Sequence, residues 1–269
     1  MLNLLKNDLL RILKDKLFLI ACIIAGAFAL VNPLLYKVLF SSLELESGGL
    51  IGTVNAKSLF FSAFMPGDNM GLILPVLIAI VICKDYSQGT VRNKIISGKA
   101  RRDIFLSTYI SCFIILWAVI FIHALVTMLI SLVFFEYHDG GFTWADFGYL
   151  MASIGLEIAV YAFIAALLTF FCVCMKNAGL AVVCYVAITF LFALIGGIIT
   201  MSLMMITPEH SAYELLIFLS KANIFSSSVI GGGSSYSFKE ILYVLLPSIV
   251  GTALFLVLGG ITFNNKDLK

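Results

Sequence analysis

The stretch of sequence that decides the fold covers residues 147–175 and reads FGYLMASIGLEIAVYAFIAALLTFFCVCM. Its only charged residue is Glu157. A helix must run through about 20 predominantly apolar residues to cross the roughly 30 Å hydrocarbon core of a bilayer. Because this run is longer than that and almost uncharged, it predicts a membrane-spanning helix.

The rest of the chain shares this apolar composition. Hydrophobic residues make up 61% of the 269 residues and charged residues only 12%, against roughly 45–50% and about 25% in ordinary globular domains. A soluble protein this apolar could not cover its own surface. The net charge of +2 is too small to indicate nucleic acid. We therefore expect an integral membrane protein that does not bind nucleic acid.

Six apolar stretches are candidates for membrane spans. The second, at 70–83, is the shortest, and residues 60–65 can extend it outward past Pro66 and Gly67. We predict an all-α, polytopic fold that forms a single transmembrane domain over residues 1–269, with spans at 17–40, 70–83, 104–135, 147–175, 179–206 and 241–263.

Lysine and arginine are distributed unevenly between the two sides that these spans define. With the N-terminus inside, 13 of the 17 Lys and Arg residues fall in cytoplasmic segments and four fall outside. The densest cluster lies at 84–102. Because cytoplasmic loops carry the excess of basic residues in membrane proteins, we expect both termini in the cytoplasm.

The first 16 residues form an amphipathic element of their own. Charged residues lie mainly on one face of a helix drawn through 1–16, and apolar residues recur at helical spacing on another: Leu2, Leu5, Leu9, Ile12 and Leu13. This pattern predicts an interfacial helix at the inner membrane surface. The alternative is a cytoplasmic extension of the first span. The apolar run continues past a cleavage-like Ala27-Phe28-Ala29 sequence, so we interpret it as a span and not as a signal peptide.

Two outer connections are long, at 41–69 and 207–240. The first carries an acidic patch at Glu44 and Glu46. The second holds an apolar stretch at 213–219, which predicts a short helix against the membrane, and then a flexible glycine-serine run at 231–235.

The six cysteines lie in apolar stretches or close to their ends, where they predict packing and not a disulfide framework. Cys172 and Cys174 are neighbours, but no histidine or second cysteine pair stands near them. We therefore expect these two to be packing residues and predict no metal site.

The connection between the second and third predicted spans, residues 84–102, reads KDYSQGTVRNKIISGKARR. Gly89 permits a sharp turn, Thr90 can cap a short helix, and Gly98 can end it. Between them lie an apolar stripe and two basic residues: Val91, Ile95, Ile96, Arg92 and Lys94. We predict a helix of about two turns on the cytoplasmic surface, joined at both ends to membrane spans. A soluble partner that held this helix could move those spans.

Membrane topology explains why this loop is basic but not the order of its residues. The order resembles that of the permease subunits of type-2 ABC exporters, in which an acid, an aromatic, Gly-Thr and Arg mark the loop after the second span. The matching positions are Asp85, Tyr86, Gly89, Thr90 and Arg92. The six spans, the amphipathic N-terminal helix and the long connection before the last span extend the resemblance. Residues 98–101 resemble the bacterial branch associated with antimicrobial-peptide export and immunity, whereas many members carry a Pro-x-Ser-Arg type sequence there.

The resemblance implies a bacterial plasma-membrane protein whose short helix docks on a separate cytoplasmic ATPase subunit. The chain has no G-x-x-x-x-G-K-[ST] sequence, so we expect it not to be an enzyme and expect ATP and Mg to bind to the partner. Six spans are half of the usual twelve-span pore, which implies a second permease copy or a paralogue. The residues that the resemblance and the loop pattern assign to ATPase coupling are Asp85, Tyr86, Gly89, Thr90, Val91, Arg92, Lys94, Ile95, Arg101 and Arg102.

Two ionisable residues lie deep in predicted spans, His123 in the third and Glu157 in the fourth. Counting from the outer ends places them at similar depths on consecutive antiparallel helices. Ionisable groups inside membranes are costly and are usually paired or line a wet cavity. The two residues predict either a polar pair that joins the helices or a polar point on a substrate path.

Three classes of function remain open. The first is an ATP-driven exporter of an amphipathic or lipophilic substrate, such as a peptide, an antibiotic or a lipid-like molecule. The second is an ion-coupled secondary transporter or channel, which would normally show more intramembrane charges or interrupted helices. The third is an intramembrane enzyme, but the three histidines, His123, His138 and His210, form no H-E-x-x-H sequence.

Overall fold

The structure is a computed structural model, and it describes residues 1–42, 54–138, 141–175, 177–207, 210–225 and 235–265. The acidic patch at Glu44 and Glu46, most of the glycine-serine run at 231–235, and three of the basic residues counted above (Lys176, Lys266 and Lys269) lie outside the described residues. Within the described ranges the chain is 86% helical and contains no strand.

Ten helices account for the described part of the chain. In order they are α1 (Leu2–Lys14), α2 (Lys16–Ser42), α3 (Ala56–Phe64), α4 (Asn69–Ser87), α5 (Thr90–Ile96), α6 (Arg101–Phe134), α7 (Trp144–Met175), α8 (Ala178–Met205), α9 (Tyr213–Ala222) and α10 (Phe238–Asn265).

Six of these helices are long and apolar enough to cross a membrane. They are α2, α4, α6, α7, α8 and α10, and each matches one of the predicted spans, with those at 104–135 and 179–206 ending one residue beyond α6 and α8. The all-α, polytopic fold is therefore confirmed. The short helices expected at the N-terminus, in the 84–102 loop and at 213–219 are also present, as α1, α5 and α9.

The helix ends differ from the predicted ends where charged side chains find partners. The second span was predicted to stop at 83, but α4 continues to Ser87 because Lys84 pairs with Asp15, which lies between α1 and α2. The last span was predicted to start at 241, but α10 starts at Phe238. There the Ser237 hydroxyl accepts from the Glu240 N–H and the Glu240 carboxylate accepts from the Ser237 N–H, which is a capping box.

Helix α7 forms the centre of the bundle. In its most apolar window 67% of the residues are buried, against 11% for α10, although α7 and α10 pack closely along their length. Helices α4, α6 and α8 also contact α7. The outer helices therefore present most of their apolar surface outward, as helices in contact with lipid do.

Helices α2 and α6 approach each other closely because α2 presents a row of small residues. Ala21, Ala25 and Ala29 recur every fourth residue and are all buried. Small residues at this spacing let two membrane helices bring their backbones together. The row brings side chains of α6 within reach of the backbone of α2.

Helix α3 begins at the end of the bundle opposite α1 and α5. Asn55 and Ser58 form a capping box at its start. The Ala56 and Lys57 N–H groups donate to the carbonyls of Glu136 and Tyr137, which follow the end of α6. The Lys57 ammonium donates to Asp146 at the start of α7 over 3.0 Å. These contacts anchor the start of α3 to the ends of two spans.

Candidate functional site

Helix α5 begins at a glycine that adopts a left-handed backbone. Gly89 has φ of 70° and is the N-cap residue, and no side chain caps the helix. Thr90 is the first residue within the helix, so the prediction that Thr90 caps it was wrong. An L-residue strongly disfavours the left-handed region, and the glycine there allows the chain to turn sharply from α4 into α5.

The other end of α5 is closed by a second glycine, as predicted. Gly98 has φ of 80°. Its N–H donates to the Ile95 carbonyl over 2.9 Å, and the Lys99 N–H donates to the Lys94 carbonyl over 3.2 Å. These two bonds form a Schellman motif, which satisfies the last carbonyls of a helix. Both ends of α5 are therefore fixed by backbone geometry.

The predicted apolar stripe of α5 divides into an inward part and an outward part. Val91 is buried in a cluster with Phe105 of α6 and Phe263 of α10, and Ile95 packs against that cluster. Ile96 is 73% exposed. Because α5 is held by Val91 and Ile95, Ile96 remains available on the surface.

Two of the predicted coupling residues instead bind α1. Asp85 is buried and forms an ion pair with Arg11. Lys94 donates to the Asp8 carboxylate over 2.5 Å, and the other oxygen of Asp8 accepts from the Ser107 hydroxyl of α6 over 2.7 Å. Asp85 therefore joins the end of α4 to α1, and Lys94 holds α5 against α1 and α6. Their charges do not face outward.

A third ion pair joins the start of α2 to the end of α4. The Lys84 ammonium donates to both oxygens of Asp15, at 3.0 and 2.9 Å. Burial alone would raise the pKa of Asp15, but the Lys84 ammonium and the Leu17 N–H outweigh that effect, and the pKa lies below its usual value. Asp15 is therefore stabilised in its charged form.

Asp8, Arg11 and Asp15 were not recognised from the sequence. The predicted apolar face of α1 included Leu2 and Leu13, yet both are exposed, and the buried face is Leu4, Asp8 and Ile12. The signal that was overlooked is the spacing of Leu4, Asp8 and Ile12 at every fourth residue, which places an acid in the middle of the packed face.

Among the other residues predicted to couple to an ATPase, some are packed against the bundle and others are exposed. Tyr86 packs against both apolar clusters, and the Arg101 guanidinium donates to the Asn264 carbonyl over 2.8 Å. Four exposed residues of this loop and of the start of α6 form what we call the coupling surface: Arg92, Ile96, Lys99 and Arg102.

A second site lies in the middle of the bundle, where the chain between α3 and α4 is not helical. The ring of Phe64, at the end of α3, stacks on Trp117 in the middle of α6 at 5.7 Å between ring centroids. The Phe64 carbonyl accepts from the Tyr161 hydroxyl of α7 over 2.8 Å. Residues 65–68 then turn, and α4 continues toward the end of the bundle that carries α1. Helix α3 thus extends the span of α4 outward across a non-helical break at residues 65–68.

The segment after α9 reaches the same depth from another direction. The Asn223 amide donates to the carbonyl of Phe192 in the middle of α8 over 2.8 Å. Asn223 also accepts from the Phe225 N–H. The Phe225 carbonyl lies 2.7 Å from where a Cβ on Gly67 would be. The two non-helical segments, 65–68 and 223–225, are therefore in contact near the middle of the bundle.

Glu157 lies beside this contact, close to the middle of α7. It is 1% exposed, and its Oε2 atom has no hydrogen-bond partner among the described residues. It lines a cavity of about 10 Å³, which is roughly the space that one water molecule needs. The cavity, here called the central cavity, is lined by Met65, Pro66, Glu157, Val160, Lys221, Ala222, Ile224, Phe225 and Val244.

Lys221 is the basic residue of the central cavity. Its ammonium donates to Glu240 of α10 over 3.1 Å and lies 6.0 Å from the centre of the Tyr243 ring. Glu157 therefore shares a cavity with a lysine whose charge is balanced by another acid.

The structure does not bring His123 and Glu157 together, so the predicted pair between them is wrong. The Nδ1 atom of His123 bonds with the Ala25 carbonyl at 2.9 Å. His123 lines a different cavity, of about 120 Å³, between α2 and α6. The reason is the row of small residues on α2, which brings the α2 backbone within reach of His123.

Asp68 is an exposed acid near these two polar regions. It lies in the interruption between α3 and α4 and interacts electrostatically with both His123 and Tyr161. Tyr161 in turn interacts with Glu157. Non-helical backbone and charged groups at membrane depth are tolerated where they are buried in protein or line a cavity, and here they are concentrated at one level of the bundle.

The fold and these features define a polytopic α-helical membrane protein with an interrupted span. Residues 18–269 match the family described as Protein of unknown function (DUF2705), and the chain belongs to that family. No curated protein matches the chain.

Proposed function

We propose that this chain is the transmembrane permease subunit of an ATP-driven exporter in the bacterial plasma membrane. Its cargo would be amphipathic or lipophilic, such as a peptide, an antibiotic or a lipid-like molecule. ATP and Mg bind to a separate cytoplasmic ATPase subunit, and a second copy or a paralogue completes the pore. The end that carries α1 and α5 faces the cytoplasm, since the basic residues concentrate there.

The observation that supports this proposal best is the attachment of α5. Two residues separate it from α4 and four residues separate it from α6, while Val91 and the Lys94–Asp8 pair hold it against the bundle. A force applied to the exposed side of α5 therefore passes directly into two spans. Arg92 and Ile96 on that side offer a charge and an apolar contact for a soluble partner.

Purification of the complex tests the proposal. The tagged chain, extracted from its native membrane in a mild detergent, should carry with it a protein that contains a phosphate-binding loop and hydrolyses ATP. Arg92→Ala with Ile96→Ser should reduce the recovered ATPase about tenfold, which corresponds to about 1.4 kcal/mol of binding free energy. Lys6→Ala, at an exposed lysine of α1, is the matched control and should leave recovery unchanged. Robust ATP hydrolysis by the chain alone, or unchanged recovery in the double variant, would contradict the proposal.

The interrupted span favours a second candidate, an ion-coupled transporter. Broken helices and buried acids in the middle of a membrane domain form ion and substrate sites in many secondary transporters. Here the break at 65–68 meets residues 223–225 beside Glu157, whose Oε2 atom has no partner among the described residues. In this second function a proton or a sodium ion would bind at Glu157.

Reconstitution of the chain without any ATPase distinguishes the two functions. An ion-coupled transporter should carry protons or ²²Na⁺ across proteoliposomes, and Glu157→Gln should abolish that flux. Glu214→Gln, at an exposed acid of α9, should leave it intact. An exporter permease should show no such flux in the absence of its ATPase.

A further inference from the structure

Helices α6 and α10 separate near the end of the bundle that carries α1 and α5 and leave a groove of about 470 Å³. Three residues of α6 and five of α10 line it: Arg102, Phe105, Leu106, Leu256, Val257, Gly260, Ile261 and Asn264. The α10 residues run from Leu256 to Asn264, eight steps along the helix or about 12 Å at 1.5 Å per residue. This length fits a segment of an acyl chain.

Two adjacent glycines of α10 shape the groove in different ways. A Cβ on Gly259 would lie 2.7 Å from the Phe105 ring, so Gly259 lets that ring pack directly on the α10 backbone. Phe105 is 3% exposed and cannot swing out. A Cβ on Gly260 would have its nearest neighbour 4.0 Å away, so Gly260 keeps the groove open beside a fixed wall.

Charge is confined to one end of the groove. The Arg101 guanidinium binds the Asn264 carbonyl and ties the start of α6 to the end of α10. Arg102 is exposed, lines the groove, and has no hydrogen-bond or ion-pair partner within the described ranges. Asp103, the nearest acid in the sequence, does not line the groove. The end of the groove is therefore cationic and the rest is apolar.

We propose that this groove is a binding site for an anionic phospholipid, with the phosphate on Arg102 and an acyl chain along Leu106, Leu256 and Ile261. Arginine binds phosphate through two parallel N–H groups. Basic pockets between membrane helices bind anionic headgroups. A zwitterionic lipid would fill the apolar part equally well but would bring its own cation to the Arg102 end. The preference for an anionic headgroup thus depends on Arg102.

The site lies where α5 meets the spans. Phe105 forms the floor of the groove and packs beside Phe263. Both rings belong to the same buried cluster as Val91 of α5. A lipid seated in the groove braces that cluster from the membrane side. The lipid site shares Arg102 with the coupling surface, but it concerns lipid binding to the chain alone and is tested without the ATPase.

The test is native mass spectrometry of the purified full chain with dioleoylphosphatidylglycerol or dioleoylphosphatidylcholine. The wild type should retain one phosphatidylglycerol in preference to phosphatidylcholine. Arg102→Ala should weaken phosphatidylglycerol retention about tenfold, since the charge-assisted hydrogen bonds to the phosphate are lost. Lys99→Ala removes an exposed lysine three positions away that does not line the groove and should have no effect.

Two further variants block the groove and leave Arg102 in place. Gly260→Leu projects into the open space beside Phe105, and Val257→Trp fills the groove from its exposed side. Both should lose the bound lipid. Equal retention of the two lipids by the wild type, equal losses in Lys99→Ala and Arg102→Ala, or normal retention in a folded blocking variant would each overturn the proposal.

Discussion

Asp8 joins three helices through one carboxylate. It is 3% exposed and accepts from Lys94 of α5 and Ser107 of α6. A buried acid with two partners can hold its charge, whereas loss of that charge leaves the ammonium of Lys94 unpaired. The position of α5 therefore depends on a residue of α1.

Asp8→Asn should loosen α5 from the bundle. It keeps the shape of the side chain but leaves Lys94, with 13% of its side chain exposed, without an anion. We expect a loss of about 2 kcal/mol in local stability, seen as faster proteolysis or hydrogen exchange in residues 90–96. Lys6→Gln, on the exposed face of α1, should behave as wild type. A wild-type exchange pattern in Asp8→Asn would show that the pair does not hold α5.

The turn into α5 should be sensitive to substitution of Gly89 and insensitive to substitution of the adjacent Thr90. Gly89→Ala places an L-residue in a left-handed conformation, at a cost of about 1–2 kcal/mol, although no atom lies within 4 Å of the new Cβ. Thr90→Ala should cost little, because Thr90 makes no capping bond. Hydrogen exchange at the amides of α5 should rise in Gly89→Ala and not in Thr90→Ala. A larger effect in Thr90→Ala would contradict this assignment and indicate that the threonine side chain does cap the helix.

The Asp15–Lys84 pair gives a pH dependence on the acid side. Because the pKa of Asp15 is lowered in the fold, its contribution to stability is complete above the unfolded value of about 3.9. The contribution is lost as the pH falls through the folded pKa. Thermal unfolding in detergent between pH 6 and pH 3 should show a steeper loss for the wild type than for Asp15→Asn. Parallel curves for the two proteins would exclude the pair as the cause.

At the scale of helices, the interruption between α3 and α4 depends on two close backbone approaches. A Cβ on Gly67 would lie 2.7 Å from the Phe225 carbonyl, and one on Gly71 would lie 2.7 Å from the Pro66 Cα. Backbone atoms cannot move aside as a flexible side chain can. Gly67 is thus needed to bring the segments 65–68 and 223–225 together, and Gly71 is needed for the tight turn from Met65 and Pro66 into α4.

Gly67→Ala and Gly71→Ala should each destabilise the fold by about 1–3 kcal/mol, the usual range for forced overpacking. Gly155→Ala and Gly197→Ala, at helical glycines with no atom within 4 Å of the new Cβ, are the controls and should be neutral or slightly stabilising. Melting temperatures of the purified proteins in one detergent measure the difference. If all four variants melt together, residues 65–68 and 223–225 do not form a close contact.

Most of the helices could be predicted from the lengths of the apolar stretches and from the glycines that bound the short helices. The six spans, the N-terminal helix and α5 follow from those patterns, and residues 60–65 were expected to extend the second span. The break at 65–68 could not be predicted as the centre of a site. Its significance depends on residues 223–225, more than 150 positions away, which reach it only because Asn223 binds the backbone of α8.

The partners of charged residues were predicted less well than the helices that carry them. Depth counting placed Glu157 and His123 at similar depths in their spans, and both are buried within the protein, at 1% and 3% exposure. The direction in which each side chain points depends on helix rotation, which depth does not determine. The small residues at 21, 25 and 29 were the only sequence feature that bears on the orientation of His123.

At the scale of the whole molecule, the described chain divides into two regions. One end carries α1, α5 and the ion pairs Arg11–Asp85, Lys84–Asp15 and Lys94–Asp8. The middle carries the broken span, Glu157 and the central cavity. Helix α4 runs between the two regions, from the break at residue 68 to the turn at Gly89. A movement of α5 would therefore reach the break through one continuous helix.

The most direct test of the proposed function is site-specific cross-linking in living cells at Ile96, the most exposed apolar residue of α5. A photo-crosslinking amino acid at Ile96 should yield one major protein adduct, identified by mass spectrometry as a subunit with a phosphate-binding loop. The same amino acid at Ile122, 59% exposed and far along α6 from the coupling surface, should not yield that adduct. A coupling surface that docks on an ATPase predicts this difference. Adducts at Ile96 that contain only lipid, or a protein without a nucleotide-binding sequence, would contradict it.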